Sequence, residues 1–132
     1  MNGPINGKLV LDSNIVINRL NKKIAALPGE ESAAKPQYII SVVTEMEALA
    51  NPRDTEKSRK EIKNLLSKFT IIPLTDNIKE TAIEIRRSGS PRPKLPDAII
   101  AATAVVLDAV LVTRDNDLLR LSFSGLQTMN IS

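Results

Sequence analysis

Four acidic residues stand at positions where an α/β chain can gather negative charge, and these are Asp12, Glu47, Asp97 and Asp115. Asp12 and Asp115 each close a short apolar run, Glu47 lies within a predicted helix, and Asp97 heads an apolar helix. In an open α/β sheet the carboxyl ends of strands meet at one edge, which is where such folds bind ligands. Carboxylates gathered there repel one another unless a cation lies between them, and oxygen ligands suit Mg²⁺ or Mn²⁺. The pattern therefore predicts a metal-dependent enzyme.

The composition narrows the chemistry further, because the chain of 132 residues has neither cysteine nor histidine. Disulfides, thiolate nucleophiles, Cys/His zinc sites and histidine acid–base catalysis are therefore excluded. The chain has one Tyr, two Phe and no Trp, which gives little support to base stacking on aromatic platforms. A net charge of +3 fits a polyanionic partner. The first eight residues show no apolar leader and no run is long enough for a membrane span, so we expect a cytoplasmic protein.

The remaining sequence alternates short apolar runs with helical periodicity. Strands are predicted over 9–11, 38–40, 69–74 and 110–113, with a short edge strand over 127–131. Helices are predicted over 14–20, 41–50, 55–68, 75–85 and 97–107, and a proline-rich loop over 88–94. This alternation predicts an α/β fold in three layers, α/β/α, with a central, mainly parallel sheet of four to five strands. We expect one domain over residues 1–132.

Two of the acids have an ordinary structural alternative. Asp12 precedes a helix and is followed by Ser13 and Asn14, so each of the three is a plausible N-cap. Asp97 lies in the first turn of its helix, where the helix dipole stabilises a carboxylate by about 0.3–1 kcal/mol. That helix is apolar all round, however, so Asp97 should lie near the core, where an unpaired charge is costly.

Two other acids each have a neighbour that competes for the same role. Glu45 and Glu47 are two residues apart on one helix, about 200° around its axis, so they cannot both face one site. Glu47 is favoured because it shares a face with Thr44, whereas Met46 and Leu49 are assigned to the opposite, core-seeking side. Asp115 is preferred to Asp117, the alternatives for Asp117 being a cap on the short turn 118–119 and a second metal.

Four segments carry a family resemblance: 10–14 (VLDSN), 40–47 (ISVVTEME), 95–104 (LPDAIIAATA) and 111–115 (LVTRD). In this order they resemble the PIN-domain ribonucleases, and within them the VapC-type toxins of toxin–antitoxin pairs. The resemblance implies that Asp12, Glu47, Asp97 and Asp115 bind Mg²⁺ or Mn²⁺ and cleave RNA. It implies that Ser13 and Thr113 support the site. Asn14, Thr44 and Asp117 are also predicted to be supporting residues. Departures at Ala48 and Leu118 affect packing and leave every predicted ligand in place.

The resemblance also implies partners. We expect a small cognate antitoxin that covers the acidic pocket, because clustered carboxylates readily accept a bidentate guanidinium. A homodimer is expected through apolar surface at Ile15, Val16, Ile17 and Leu20, although core packing explains the same residues equally well. The residues predicted to hold RNA phosphates are Arg86, Arg87, Arg92, Lys94 and Arg114, and a solvated surface is the alternative for each.

Other functions were weighed on the same residues. A haloacid-dehalogenase-type phosphatase requires a second aspartate two positions after Asp12, where Asn14 stands. A receiver domain requires paired acids near the first strand and a lysine after a late strand, and the chain has neither. A catalytically silent scaffold that binds RNA or protein would have no need of all four acids. The sequence therefore favours a metal-dependent endoribonuclease over these alternatives.

Overall fold

Residues 7–131 are described by a computed structural model of the chain. Its strands are β1 (Lys8–Leu11), β2 (Gln37–Ser41), β3 (Thr70–Ile72), β4 (Val110–Thr113) and β5 (Gln127–Asn130). They form one sheet in the order β3-β2-β1-β4-β5, and every neighbouring pair is parallel. The predicted parallel sheet is confirmed at five strands.

Helices connect these strands. They are α1 (Ser13–Leu20), α2 (Val42–Leu49), α3 (Glu56–Leu66), α4 (Asp76–Ser88), α5 (Leu95–Val106) and α6 (Asn116–Arg120). Side-chain caps begin most of them, as the sequence predicts for Ser41, whose hydroxyl accepts from Val43 N, and for Thr75, which accepts from Ile78 N. Within residues 7–131, no helix is both long and apolar enough to cross a bilayer.

The sheet is covered on both faces because its side chains alternate in direction. On one face, Val10, Ile39 and Leu111 pack against α4 and α5. On the other, strand residues such as Leu11 and Ile40 pack against α1 and α3. Two cores separated by one sheet make the three-layer α/β/α architecture that the sequence predicts.

Two expectations about apolar residues need correction. Ile15 and Val16 are fully buried in the core beneath α1, so they offer no surface to a second copy of the chain. Only Ile17, which is 41% exposed, and the partly buried Leu20 remain for the predicted dimer. Strand β3 is also shorter than predicted, because Pro73 lacks the N–H needed to extend its pairing with β2.

The order of the strands reverses beside β1. The chain moves outward from β1 to β2 and β3, then returns to place β4 on the other side of β1. A crevice opens at such a switch point, outside the carboxyl ends of the two central strands. Asp12 follows β1 directly and Asp115 lies two residues beyond β4, so the fold delivers both acids to this crevice.

Candidate active site

Asp12 is the most buried of the four acids, at 4% exposure, and both its carboxylate oxygens are engaged. Oδ1 accepts from Ser13 N at 2.8 Å, in the manner of an N-cap. Oδ2 accepts from the Thr113 hydroxyl at 2.7 Å. That hydroxyl accepts in turn from Asp115 N at 3.0 Å, which directs its proton toward Asp12. Each carboxylate oxygen has a second lone pair, so Asp12 is held in place and still able to bind a ligand.

Glu47 is held by a second hydroxyl relay between α1 and α2. The Ser13 hydroxyl donates to Glu47 Oε1 at 2.6 Å and lies 3.0 Å from the Thr44 hydroxyl. Because Ser13 has one hydroxyl proton and gives it to Glu47, Thr44 is the donor in the second bond. Thr44 is buried and Glu47 is exposed, so the relay leads from the core to the mouth of the crevice.

Asp115 also acts as a helix cap. Its Oδ1 accepts from Asp117 N at 2.8 Å and thereby begins α6. The predicted alternative, in which Asp117 caps the following turn, is wrong, because Asp117 lies inside α6. There its carboxylate pairs with Arg120 at 2.7 Å, on the exposed side of the helix. Asp115 Oδ2 remains available to a ligand in the crevice.

Asp97 differs from the other three acids because no hydrogen-bond donor of the described residues meets its carboxylate. It lies in the first turn of α5, after Pro96 at a position where the missing N–H is harmless. Burial is the main cause that raises the pKa of Asp97, from 3.8 to about 6. The charges of Asp12, Asp115 and Glu47 raise it further, and nearby Lys94 opposes them.

The structure therefore brings together all four of the predicted acids, each from a different segment of the chain. The pKa of Asp12 is raised as well, chiefly by burial and then by the charges of Asp115 and Glu47, while its bond from Thr113 acts the other way. The side chains of Ser13, Thr44 and Thr113 support this cluster. Asn14 contributes no such contact, because its side-chain oxygen is buried and accepts no hydrogen bond.

The donor set suits a hard divalent cation, since it consists of carboxylate oxygens in a partly buried crevice. As they stand, no three acidic side chains of residues 7–131 are close enough to enclose a metal ion. Mutual repulsion is a physical reason for that spacing, because the pKa of Asp97 is raised by each of the other three carboxylates. Relief of this repulsion is the chemistry by which the cluster fits a cation.

The cationic residues predicted to meet RNA take different positions. Arg86 is half-buried and its Nη1 donates to Pro93 O at 2.7 Å, so it braces the loop that leads to α5. Arg87, Arg92 and Arg114 are exposed. Lys94 is also exposed and is close enough to Asp97 to lower the pKa of that carboxyl.

Sequence reasoning missed a feature beside Glu47. A cavity of about 230 Å³ lies between α1, α2 and α3, and the acids that line it are Glu47, Asp54 and Glu61. Asp54 Oδ2 is buried there without a hydrogen-bond partner. Nothing in the local pattern around Asp54 signals this, because the cavity forms only when the three helices pack together.

The assignments within α2 have mixed outcomes. Met46 was expected to face the core and is 63% exposed, so that expectation is wrong. Ala48 takes the buried position instead, because α2 packs against α1 and α5 at the sheet edge. Glu45 is half-buried and, within the described residues, forms no salt bridge. The structure thus places Glu47 in the crevice, in contact with Ser13, and gives Glu45 no contact there.

Comparisons with known proteins agree with this geometry. A family model described as PIN domain matches residues 9–124. No curated protein matches the chain. Among solved structures, a toxin–antitoxin complex from Klebsiella pneumoniae is 30% identical, with a TM-score of 0.68 over 93% of this chain and 99% of that one.

Two further structures share the fold at lower identity. One is DNA-bound VapBC from Salmonella typhimurium, with a TM-score of 0.75 and 18% identity over 93% of this chain and 97% of that one. The other is VapBC2 from Rickettsia felis bound to a promoter DNA fragment, with a TM-score of 0.74 and 20% identity over 93% and 98%. The resemblance read from the four sequence segments is confirmed, and this chain belongs to the PIN-domain family.

Proposed function

We propose that this chain is a divalent-metal-dependent endoribonuclease and the toxin of a toxin–antitoxin pair. The observation that carries the proposal is the convergence of four carboxylates, from four separate segments, at the switch point of a parallel sheet. Membership in the PIN-domain family and likeness to toxin–antitoxin complexes support the same function.

Asp12, Glu47, Asp97 and Asp115 would hold the cation, Mg²⁺ or Mn²⁺. A cation bound there supplies a water of lowered pKa and neutralises charge that grows on the phosphate oxygens. The chain's own part is positioning: Thr113 fixes the Asp12 carboxylate and Ser13 fixes that of Glu47. Lys94 offers positive charge beside Asp97, where a phosphate must enter past the acids.

The test is cleavage of end-labelled RNA by purified protein, with EDTA and then with added Mg²⁺ or Mn²⁺. We expect cleavage that EDTA abolishes and either cation restores. Asp97→Asn, purified in the same way, controls for contaminating nucleases and should lack the activity. Cleavage that survives exhaustive chelation would overturn the metal requirement, and cleavage that survives in Asp97→Asn would assign it to a contaminant.

The antitoxin is tested separately. We propose a small protein encoded beside this chain that inserts a cationic side chain among the four carboxylates. Coexpression should relieve growth arrest and yield a stable complex, and the inhibitor should compete with Mn²⁺ for the crevice. Growth arrest that no neighbouring gene relieves would contradict this part of the proposal and leave the nuclease assay unaffected.

A further inference from the structure

Helix α3 carries a basic surface that the candidate active site does not use. Its members are all exposed, and we call the set Lys57, Arg59, Lys60 and Lys63 the α3 basic face. The opposite side of the helix is anchored in the core by Ile62 and Leu66. The four cationic side chains therefore project into solvent from a rigid, packed element.

This surface holds the positive charge that the rest of the chain lacks. Residues 53–68 contain six basic and three acidic residues, for a net charge of +3, which equals that of the entire chain. The remaining twelve basic residues are balanced by twelve acidic ones. The mild basic bias of the whole sequence is thus one concentrated patch, which is the electrostatic footprint of a polyanion-binding surface.

The α3 basic face is also free of ion pairs within the described residues. Glu56 and Glu61 stand at helical spacing from Lys60 and Lys57, where pairing is common. No salt bridge in residues 7–131 includes any of the four cations, because each of those present joins residues elsewhere. Four unpaired cations repel one another, and an anion laid along the helix removes that repulsion.

The position of α3 links this face to the active site. Ser58, in its first turn, lines the same cavity as Glu47, so the beginning of α3 lies at the carboxyl edge of the sheet. Its end leads into Thr70, at the amino end of β3. Lys57 is therefore the member nearest the carboxylates, and Lys63 lies about 9 Å farther along the helix axis.

The site is then flanked by cations on both sides of the sheet. The loop before α5, with Arg92 and Lys94, belongs to the layer of α4 and α5. Helix α3 belongs to the other layer, with its Ile62 beneath it. A strand that runs from one flank to the other crosses the acidic crevice, so its phosphates meet positive charge before and after the position of cleavage.

We propose that the α3 basic face binds the RNA backbone two to three nucleotides away from the bond that is cut, which rests on the ribonuclease function proposed above. These contacts go to phosphates, so they position the substrate and carry no sequence preference. They raise affinity through release of counterions, which makes their contribution dependent on salt. An acidic protein partner is the competing occupant, and the experiment separates the two.

The experiment compares two triple variants of the full chain that remove the same charge. One is Lys57→Gln, Lys60→Gln, Lys63→Gln. The control is Lys8→Gln, Lys35→Gln, Lys79→Gln, at exposed positions away from the α3 basic face. Because all six side chains are exposed, circular dichroism and melting temperature should match the wild type. Binding of a fluorescent 20-nucleotide RNA is measured in EDTA over a range of salt, and kcat and KM are measured in Mg²⁺.

We expect the α3 variant to bind RNA about tenfold or more weakly at low salt, with a salt slope reduced by about 2–3, because each lost phosphate contact removes about 0.9 from that slope. Its KM should rise while kcat at saturation stays within about threefold. The control variant should differ little from the wild type, and a four-nucleotide substrate should not distinguish the two variants. Equal behaviour of the two variants on the long RNA would overturn the proposal.

Two further outcomes keep this test separate from the nuclease assay. If the wild type cleaves no RNA with any cation, the ribonuclease function fails, while the binding comparison in EDTA still decides whether α3 holds RNA. If the α3 variant keeps its RNA affinity and loses its affinity for polyglutamate, the face is a protein-docking surface and the proposal is wrong.

Discussion

Asp97→Asn should make the metal-free protein more stable at neutral pH while it removes activity. The pKa of Asp97 is raised from 3.8 to about 6, chiefly by burial, so its ionised form is less stable in the folded chain than in the unfolded one. Between these two pH values the folded state binds more protons, and stability falls as the pH rises through the folded pKa. Above it, the ionised carboxylate works against the fold in full, and asparagine relieves that effect.

The magnitude follows from the same shift. About two pH units correspond to roughly 3 kcal/mol at most. Asp97 is only partly buried, so solvent screening reduces this to roughly 1–2 kcal/mol. For a chain of this size that is about 3–8 °C in Tm. The gain should shrink toward pH 4, where Asp97 of the wild type is protonated.

The assay is thermal unfolding in EDTA at pH 7.5 and pH 4.5, followed by circular dichroism. Asp108→Asn is the matched control, because Asp108 is exposed and has φ +52°, a conformation that asparagine tolerates. It should change Tm little at either pH. Added Mg²⁺ should raise the Tm of the wild type at pH 7.5 and do less for Asp97→Asn. The reasoning is refuted if Asp97→Asn melts no higher than the wild type at pH 7.5, or gains equally at both pH values.

Three other predictions concern the residues around Asp97. Thr113→Val should lower the free energy of unfolding by about 1–3 kcal/mol, because the buried Asp12 loses a hydrogen bond, and urea titration measures this. Ser13→Ala should weaken Mn²⁺ binding in calorimetry with little effect on Tm, since Glu47 loses its anchor; unchanged affinity would deny Ser13 that role. Glu47→Gln should remove most RNA cleavage and Glu45→Gln should remove little, and the reverse result would exchange the two assignments.

Local patterns predicted the elements well because hydrophobic periodicity and caps are local properties. The strand over 110–113 was predicted with its observed bounds, since a short apolar run ends there at a polar turn. The apolar helix that begins near Asp97 was predicted within two residues at its start, because Pro96 marks the entry. The parallel sheet followed from the alternation of strands and helices, which leaves few topologies open.

Contacts between distant segments were beyond local patterns. No spacing rule joins Asp12 to Thr113, which are 101 residues apart, and only the family resemblance indicated that Thr113 supports the site. The exposure of Met46 was mispredicted because it depends on which neighbours α2 meets at the sheet edge. The same holds for the buried Asp54 oxygen and for the capping role of Asp115, which are set by packing and by backbone geometry at one residue.

The bond between Asp12 and Thr113 bears on when the chain becomes active during its synthesis. Asp12 emerges from the ribosome early, whereas β4 and Thr113 are made after more than four-fifths of the chain. Until β4 pairs with β1, the crevice has only one of its two walls and lacks Asp115 altogether. An incomplete chain therefore has no assembled site, and any cleavage of RNA begins only once the translation that produced the enzyme is nearly finished.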